Sequence, residues 1–206
     1  LKVSYFCKLS SELIPEEHEL GFDEIELQNT DNRNQKNATF GGEKVDGVLR
    51  VEEDDCTLTV TGPNFSYTLN KLTGLWDAMT FNGASLITRP MNLNIWRAPT
   101  DNDRNIKLIW KNNEYNAAVT RVYEINAAGT GDSVVITAHV GMTGWSIQKF
   151  LDLEIQWTVH GGGQIDVTIQ AQRCKEFRFL PRFGLRLFLP KEMEQVSYCG
   201  IGPMES

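Results

Sequence analysis

Asn92-Leu93-Asn94-Ile95-Trp96-Arg97-Ala98-Pro99-Thr100-Asp101-Asn102-Asp103 is the stretch on which the reading of this chain turns. Leu93, Ile95 and Arg97 alternate with Asn94 and Trp96, the period of a β-strand. Pro99 fixes φ and has no N–H, so the strand is expected to stop near Ala98. Thr100, Asp101, Asn102 and Asp103 are turn formers whose side chains bond nearby backbone amides. Two readings stand at this point. The turn satisfies its own side chains, or a rigid strand-end loop displays carboxylates and amides for contact with a sugar. Arg97, with a planar fork that clamps carboxylates, is expected to pair with Asp101, Asp103 or the adjoining acidic segment. Trp96 is either core or a half-exposed aromatic beside the turn.

Outward from that stretch the pattern is β. Residues 49–52, 57–62 and 65–69 alternate, with turn chemistry at Thr73-Gly74 and Asn82-Gly83. Further strands are expected over Val119–Asn126, Ser133–Val140, Ile147–His160, Gln164–Ala171 and Gly184–Leu189, with glycine-rich loops between them. Leu108–Tyr115 is the best helix candidate, of one or two turns. Short strands, glycine turns and almost no helix predict an all-β sandwich.

Composition narrows the function. The chain has 206 residues, 41% apolar, and a net charge of −7. The charge and the scattered Lys and Arg argue against a nucleic-acid partner. No run of about 18 apolar residues exists to span a membrane. The start, Leu1-Lys2-Val3-Ser4-Tyr5-Phe6, lacks the features of a secretory signal and reads as a strand of something longer. Cys7, Cys56, Cys174 and Cys199 are widely spaced, and His18, His139 and His160 show no metal-ligand spacing. The cysteines are read as reduced thiols packed as small hydrophobes in a cytosolic protein, and no metal site is expected.

Four segments resemble one family in order. Trp96-Arg97-Ala98-Pro99-Thr100-Asp101-Asn102-Asp103 resembles the signature of the small-chain domain of large bacterial β-galactosidases of glycoside hydrolase family 2. Leu180-Pro181-Arg182-Phe183-Gly184-Leu185 is similar to its Leu-Pro-Arg-x-Gly strand. Tyr198-Cys199-Gly200-Ile201-Gly202-Pro203-Met204-Glu205-Ser206 is similar to its Gly-Pro-x-Glu segment. Residues 17–27 resemble the last strand of the immunoglobulin-like domain that precedes it.

The resemblance implies residues 1–27 as the end of an immunoglobulin-like sandwich and 28–46 as a linker. It implies 47–206 as the first part of a galactose-mutarotase-like β-supersandwich that continues past Ser206. It implies a cytoplasmic enzyme acting on terminal β-galactosides such as lactose, with catalytic glutamates in a barrel domain elsewhere. The Mg and Na ions common in the family would also be bound outside this chain. The partners implied are the other domains of the longer protein, the galactoside and, through strand edges left without cover, a second copy. A carbohydrate-binding module and a mutarotase-like domain are the rival readings. Relative to longer family members, the segment after Asp103 is short, so a loop reaching the active-site mouth is not expected.

The residues themselves offer few other chemical sites. Glycoside hydrolysis needs two carboxyls about 5–10 Å apart. Asp152 and Glu154 share a strand face, but they alternate with Leu151, Leu153 and Ile155 and read as the wet side of a half-buried strand. No residue is assigned as catalytic. Trp157 falls in the apolar series and is expected in the core.

Overall fold

The computed structural model describes residues 2–24, 48–130 and 132–196. The linker expected over 28–46, the Gly-Pro-x-Glu segment and Cys199 lie outside them. The chain divides into two units, Leu1–Gly41 and Gly42–Ser206.

In the first unit, β1 (Lys2–Phe6) and β2 (Glu19–Glu24) form an antiparallel pair. Tyr5 donates to Asp23 at 2.7 Å, and the ammonium of Lys2 lies 4.0 Å from the Phe22 ring centre. Tyr5, Phe6 and Leu20 remain exposed. A two-stranded ribbon buries too little to be stable alone.

The second unit is built from two meandering sheets. One runs through β3 (Arg50–Glu53), β4 (Thr57–Thr61), β5 (Phe65–Asn70), β6 (Leu75–Phe81) and β7 (Ala84–Ser85), each paired antiparallel with the next. The other runs through β9 (Val119–Thr130), β10 (Ser133–Thr143), β11 (Leu151–His160) and β12 (Ile165–Arg173). Between them in sequence lie β8 (Asn92–Asn94) and α1 (Lys107–Asn112); β13 (Gly184–Arg186) follows and pairs with β8.

Alternation decides which faces meet. Leu58 and Val60 of β4, Phe65, Tyr67 and Leu69 of β5, and Leu151, Leu153, Ile155, Trp157 and Val159 of β11 are all buried, with less buried neighbours between them. They belong to one core with Val134, Ile136, Ala138 and Val140 of β10. Trp157 crosses the gap: its ring meets Trp76 edge-on at 5.7 Å, and its Nε1–H donates to the Gly74 carbonyl at 3.0 Å. The Tyr67 hydroxyl likewise donates to the Gly163 carbonyl at 2.8 Å. Trp157 and Tyr67 thus each find a partner for their polar atom across the sandwich, whereas the buried Trp76 Nε1–H has none among the described residues.

The Asn82-Gly83 turn has positive φ at both residues, 48° and 77°, as a two-residue hairpin demands. Gly74, at φ 72°, sits against Ala138, Val140 and Val122, where a side chain would meet the facing sheet.

Several expectations are corrected. The strand at Leu93 ends at Asn94, four residues before Ala98, because the Asn94 side chain turns back to accept the Trp96 N–H at 3.4 Å. The strand at Gly184 spans three residues rather than six. The helix at 108–115 ends at Asn112, and Glu114, at φ 55°, separates it from a 3₁₀ turn at Tyr115–Ala117. Cys7, Cys56 and Cys174 are free thiols, as read, but none is buried and Cys56 is exposed, so they do not pack as core hydrophobes.

Candidate functional site

The turn that follows β8 is anchored from below and locked from within. Ile95 is buried in the core, and Trp96 packs against it half-buried, between the two alternatives its sequence left open. Arg97 then reaches over the turn. Its two terminal nitrogens donate to the two oxygens of Asp103, at 2.5 and 2.9 Å. Its Nε donates to the carbonyl of Pro181 at 3.2 Å. The guanidinium carbon sits 5.2 Å from the centre of the buried Trp110 ring.

Asp103 closes the 3₁₀ turn Asp101–Asp103. One of its oxygens also accepts the Thr100 N–H at 2.8 Å and the Thr100 hydroxyl at 3.1 Å. It is the one buried charged side chain among the described residues. The Arg97 fork and then the Thr100 amide favour its charged form and hold its pKa down at about 2, below the ordinary 3.8. Asp103 in turn raises the pKa of Arg97. A bidentate, amide-backed pair of this kind fixes the backbone between its members.

Of the five residues singled out from sequence, Arg97 and Asp103 are brought together and consume each other's bonding capacity. Asp101 and Asn102 stand exposed on the turn they brace, and Trp96 lies partly under it. The arrangement is a rigid mount presenting one carboxylate and one amide to solvent. It contains no nucleophile with a base.

The family-like segment at 180–185 meets the one at 96–103 here. Pro181 supplies the carbonyl for Arg97, and β13, a few residues on, pairs Leu185 with Leu93. Trp110, Tyr115 and Pro181 were not foreseen as parts of the mount. Trp110 Nε1–H donates to the Phe179 carbonyl at 3.1 Å, and the Tyr115 hydroxyl to the Arg178 carbonyl at 2.7 Å. The joint occurrence of the two motifs was the available signal; the acceptors are backbone atoms and leave no side-chain signature.

A second locked loop lies between β10 and β11. The Glu114 carboxylate accepts the Ser146 N–H at 2.9 Å and the Ser146 hydroxyl. These bonds, with the amides of Trp145 and Ile147, lower its pKa. Trp145 projects from this loop, 81% exposed.

The remaining carboxylates considered from sequence lie on the outer face of β11. Asp152 pairs with Lys149 at 2.7 Å, and Glu154 lies 3.6 Å from His139. Among the described residues no three His, Cys, Asp or Glu side chains group as metal ligands, and no helix is long and apolar enough to cross a membrane.

The profile of the family described as "Beta galactosidase small chain" matches residues 61–206. The β-galactosidase of Actinobacillus pleuropneumoniae is 36% identical over 206 residues, covering all of this chain and 20% of that protein. That of Staphylococcus xylosus is 32% identical over 191 residues, 93% of this chain and 19% of that protein. That of Lactobacillus delbrueckii subsp. bulgaricus is 31% identical over 169 residues, 79% of this chain and 16% of that protein. The chain spans about a fifth of the length of the curated relatives it matches.

Proposed function

The chain belongs to the beta galactosidase small chain family, and on that premise we propose that it serves as a non-catalytic stretch of a cytoplasmic β-galactosidase. The longer protein would hydrolyse terminal β-galactosides such as lactose by the retaining two-carboxylate route. The observation that carries this reading is the match of the entire chain to a fifth of a β-galactosidase at 36% identity.

Within it, residues 1–27 would end an immunoglobulin-like domain, 28–46 would link, and 47–206 would open a β-supersandwich. The mount at 97–103 would wall one side of the sugar cleft, with Asp101 and Asn102 turned to the substrate and Trp96, Arg97 and Asp103 holding them. Support comes from the rigidity of the turn: binding groups held by prior hydrogen bonds lose little freedom when a ligand arrives.

The test is direct. The purified 206-residue chain, given a chromogenic β-galactoside, is expected to release no chromophore above buffer. Turnover that co-purifies with the chain and titrates with its concentration refutes the non-catalytic assignment.

A further inference from the structure

The outer face of the β9–β12 sheet carries an organisation that packing does not require. β9 holds one extra residue opposite His139 and Val140: Glu124 pairs with His139 and Val122 with Val140, leaving Tyr123 between them. Such a bulge re-aims a side chain. The Tyr123 ring is laid over Gly141, where an added Cβ would come within 2.7 Å of the ring and 2.9 Å of Lys149. Only glycine lets the ring settle there, and the ring stays 56% exposed.

Beside it, register builds two parallel polar rows. Gly141, Asp152 and Gln172 lie across β10, β11 and β12, and His139, Glu154 and Gln170 form the next row. Asp152, Gln172, His139, Glu154 and Gln170 line a cleft of about 360 Å³, within the range of about 300–1,000 Å³ of small-molecule sites.

The functional groups of the cleft select the ligand class. Asp152 has Lys149 at 2.7 Å, and Glu154 has His139 at 3.6 Å. Lys149 also lies 5.2 Å from the Tyr123 ring centre. Asp152 is charge-paired, and Glu154 has the His139 imidazole in reach. The cleft offers planar carboxylate and amide groups, each able to bond two adjacent hydroxyls, next to the exposed ring of Tyr123, which Arg121 also flanks at 5.9 Å. Neutral pyranose rings, with hydroxyls at the rim and C–H bonds on the face, complement that combination.

We infer that this sheet face, centred on Tyr123 and the cleft at Asp152, Glu154, Gln170 and Gln172, binds short β-linked oligosaccharides. It is a site separate from the turn at 97–103, and it requires no hydrolysis by the longer protein.

The test is nitrogen-15 NMR of the labelled chain titrated with lactose and, separately, cellotriose. Saturable shifts are expected at the amides of residues 139–141, 152–154 and 170–172 with at least one of the two sugars, at dissociation constants on the order of 1 mM. Tyr123→Leu, which still covers Gly141, and Gln172→Ala, at an exposed position, are each expected to weaken binding about tenfold, with the remaining spectrum kept. Absence of shifts with both sugars overturns the inference. So do shifts confined to residues 97–103, and so does unchanged affinity in both variants. Because no turnover is read, failure here leaves the β-galactosidase reading intact, and failure of the hydrolysis test leaves this one intact.

Discussion

Trp110→Phe measures how far the mount at 97–103 depends on what lies beneath it. Trp110 is fully buried, donates to the Phe179 carbonyl at 3.1 Å, and meets the Phe179 ring edge-on at 5.9 Å. Phenylalanine keeps an aromatic ring next to Cβ, in the place of the indole's five-membered ring. It removes the N–H donor, a net loss of about 0.5–1.5 kcal/mol. It also empties part of the space of the outer six-membered ring, for about 1–1.5 kcal/mol more. The sum, about 1.5–3 kcal/mol, corresponds to a fall of about 3–12 °C in melting temperature for a domain of this size. Trp145→Phe is the matched control: its ring is 81% exposed, and surface changes fall within about 0.5 kcal/mol. Urea melts followed by circular dichroism give both values. If the two variants unfold at the same midpoint as the parent, Trp110 does not anchor the segment at 177–181, and the account of the mount is wrong.

Two further outcomes are expected. Asp103 has a folded pKa of about 2 against an ordinary 3.8; its ionised form therefore stabilises the fold fully above 3.8, and that contribution disappears as pH falls toward 2. Asp103→Asn should be less stable than the parent at neutral pH, with the gap in urea midpoint closing across that acid window; a gap independent of pH refutes the linkage. The second concerns association. Phe179, Phe183, Leu187, Leu189, Met193 and Val196 are exposed in one stretch of chain, so the protein is expected to self-associate as concentration rises. Light scattering over a dilution series checks this, and a constant monomer mass refutes it.

The strands of both sheets were legible because alternation is a direct print of a half-buried pleat: Leu151, Leu153, Ile155 and Trp157 point inward as their spacing required. The Arg97 clamp was legible in kind, since a fork beside Asp101 and Asp103 has few other partners; that it chooses Asp103 follows from the 3₁₀ turn, which carries that residue back toward Thr100. The ends of elements were less legible. Asn94 and Glu114 stop their segments through a side-chain bond and a left-handed backbone, neither of which has a periodic signal. The Tyr123 platform was invisible for the same reason: it depends on one unpaired residue in β9 that shifts the register.

The pairing of β8 with β13 also sets an order of events during synthesis. Within each of the two large sheets every strand pairs with its neighbour in sequence, so those ribbons close on local contacts and can form early. The acidic turn cannot be completed that way. Arg97 waits for the carbonyl of Pro181, 84 residues downstream, which at about 5–20 residues per second takes roughly 4–17 s to be made. Through that interval β8 is an open edge carrying Leu93, available to any other nascent strand. The pace of translation between Arg97 and Pro181, rather than the strength of any contact in the finished sandwich, therefore sets how long this chain is vulnerable to mispairing.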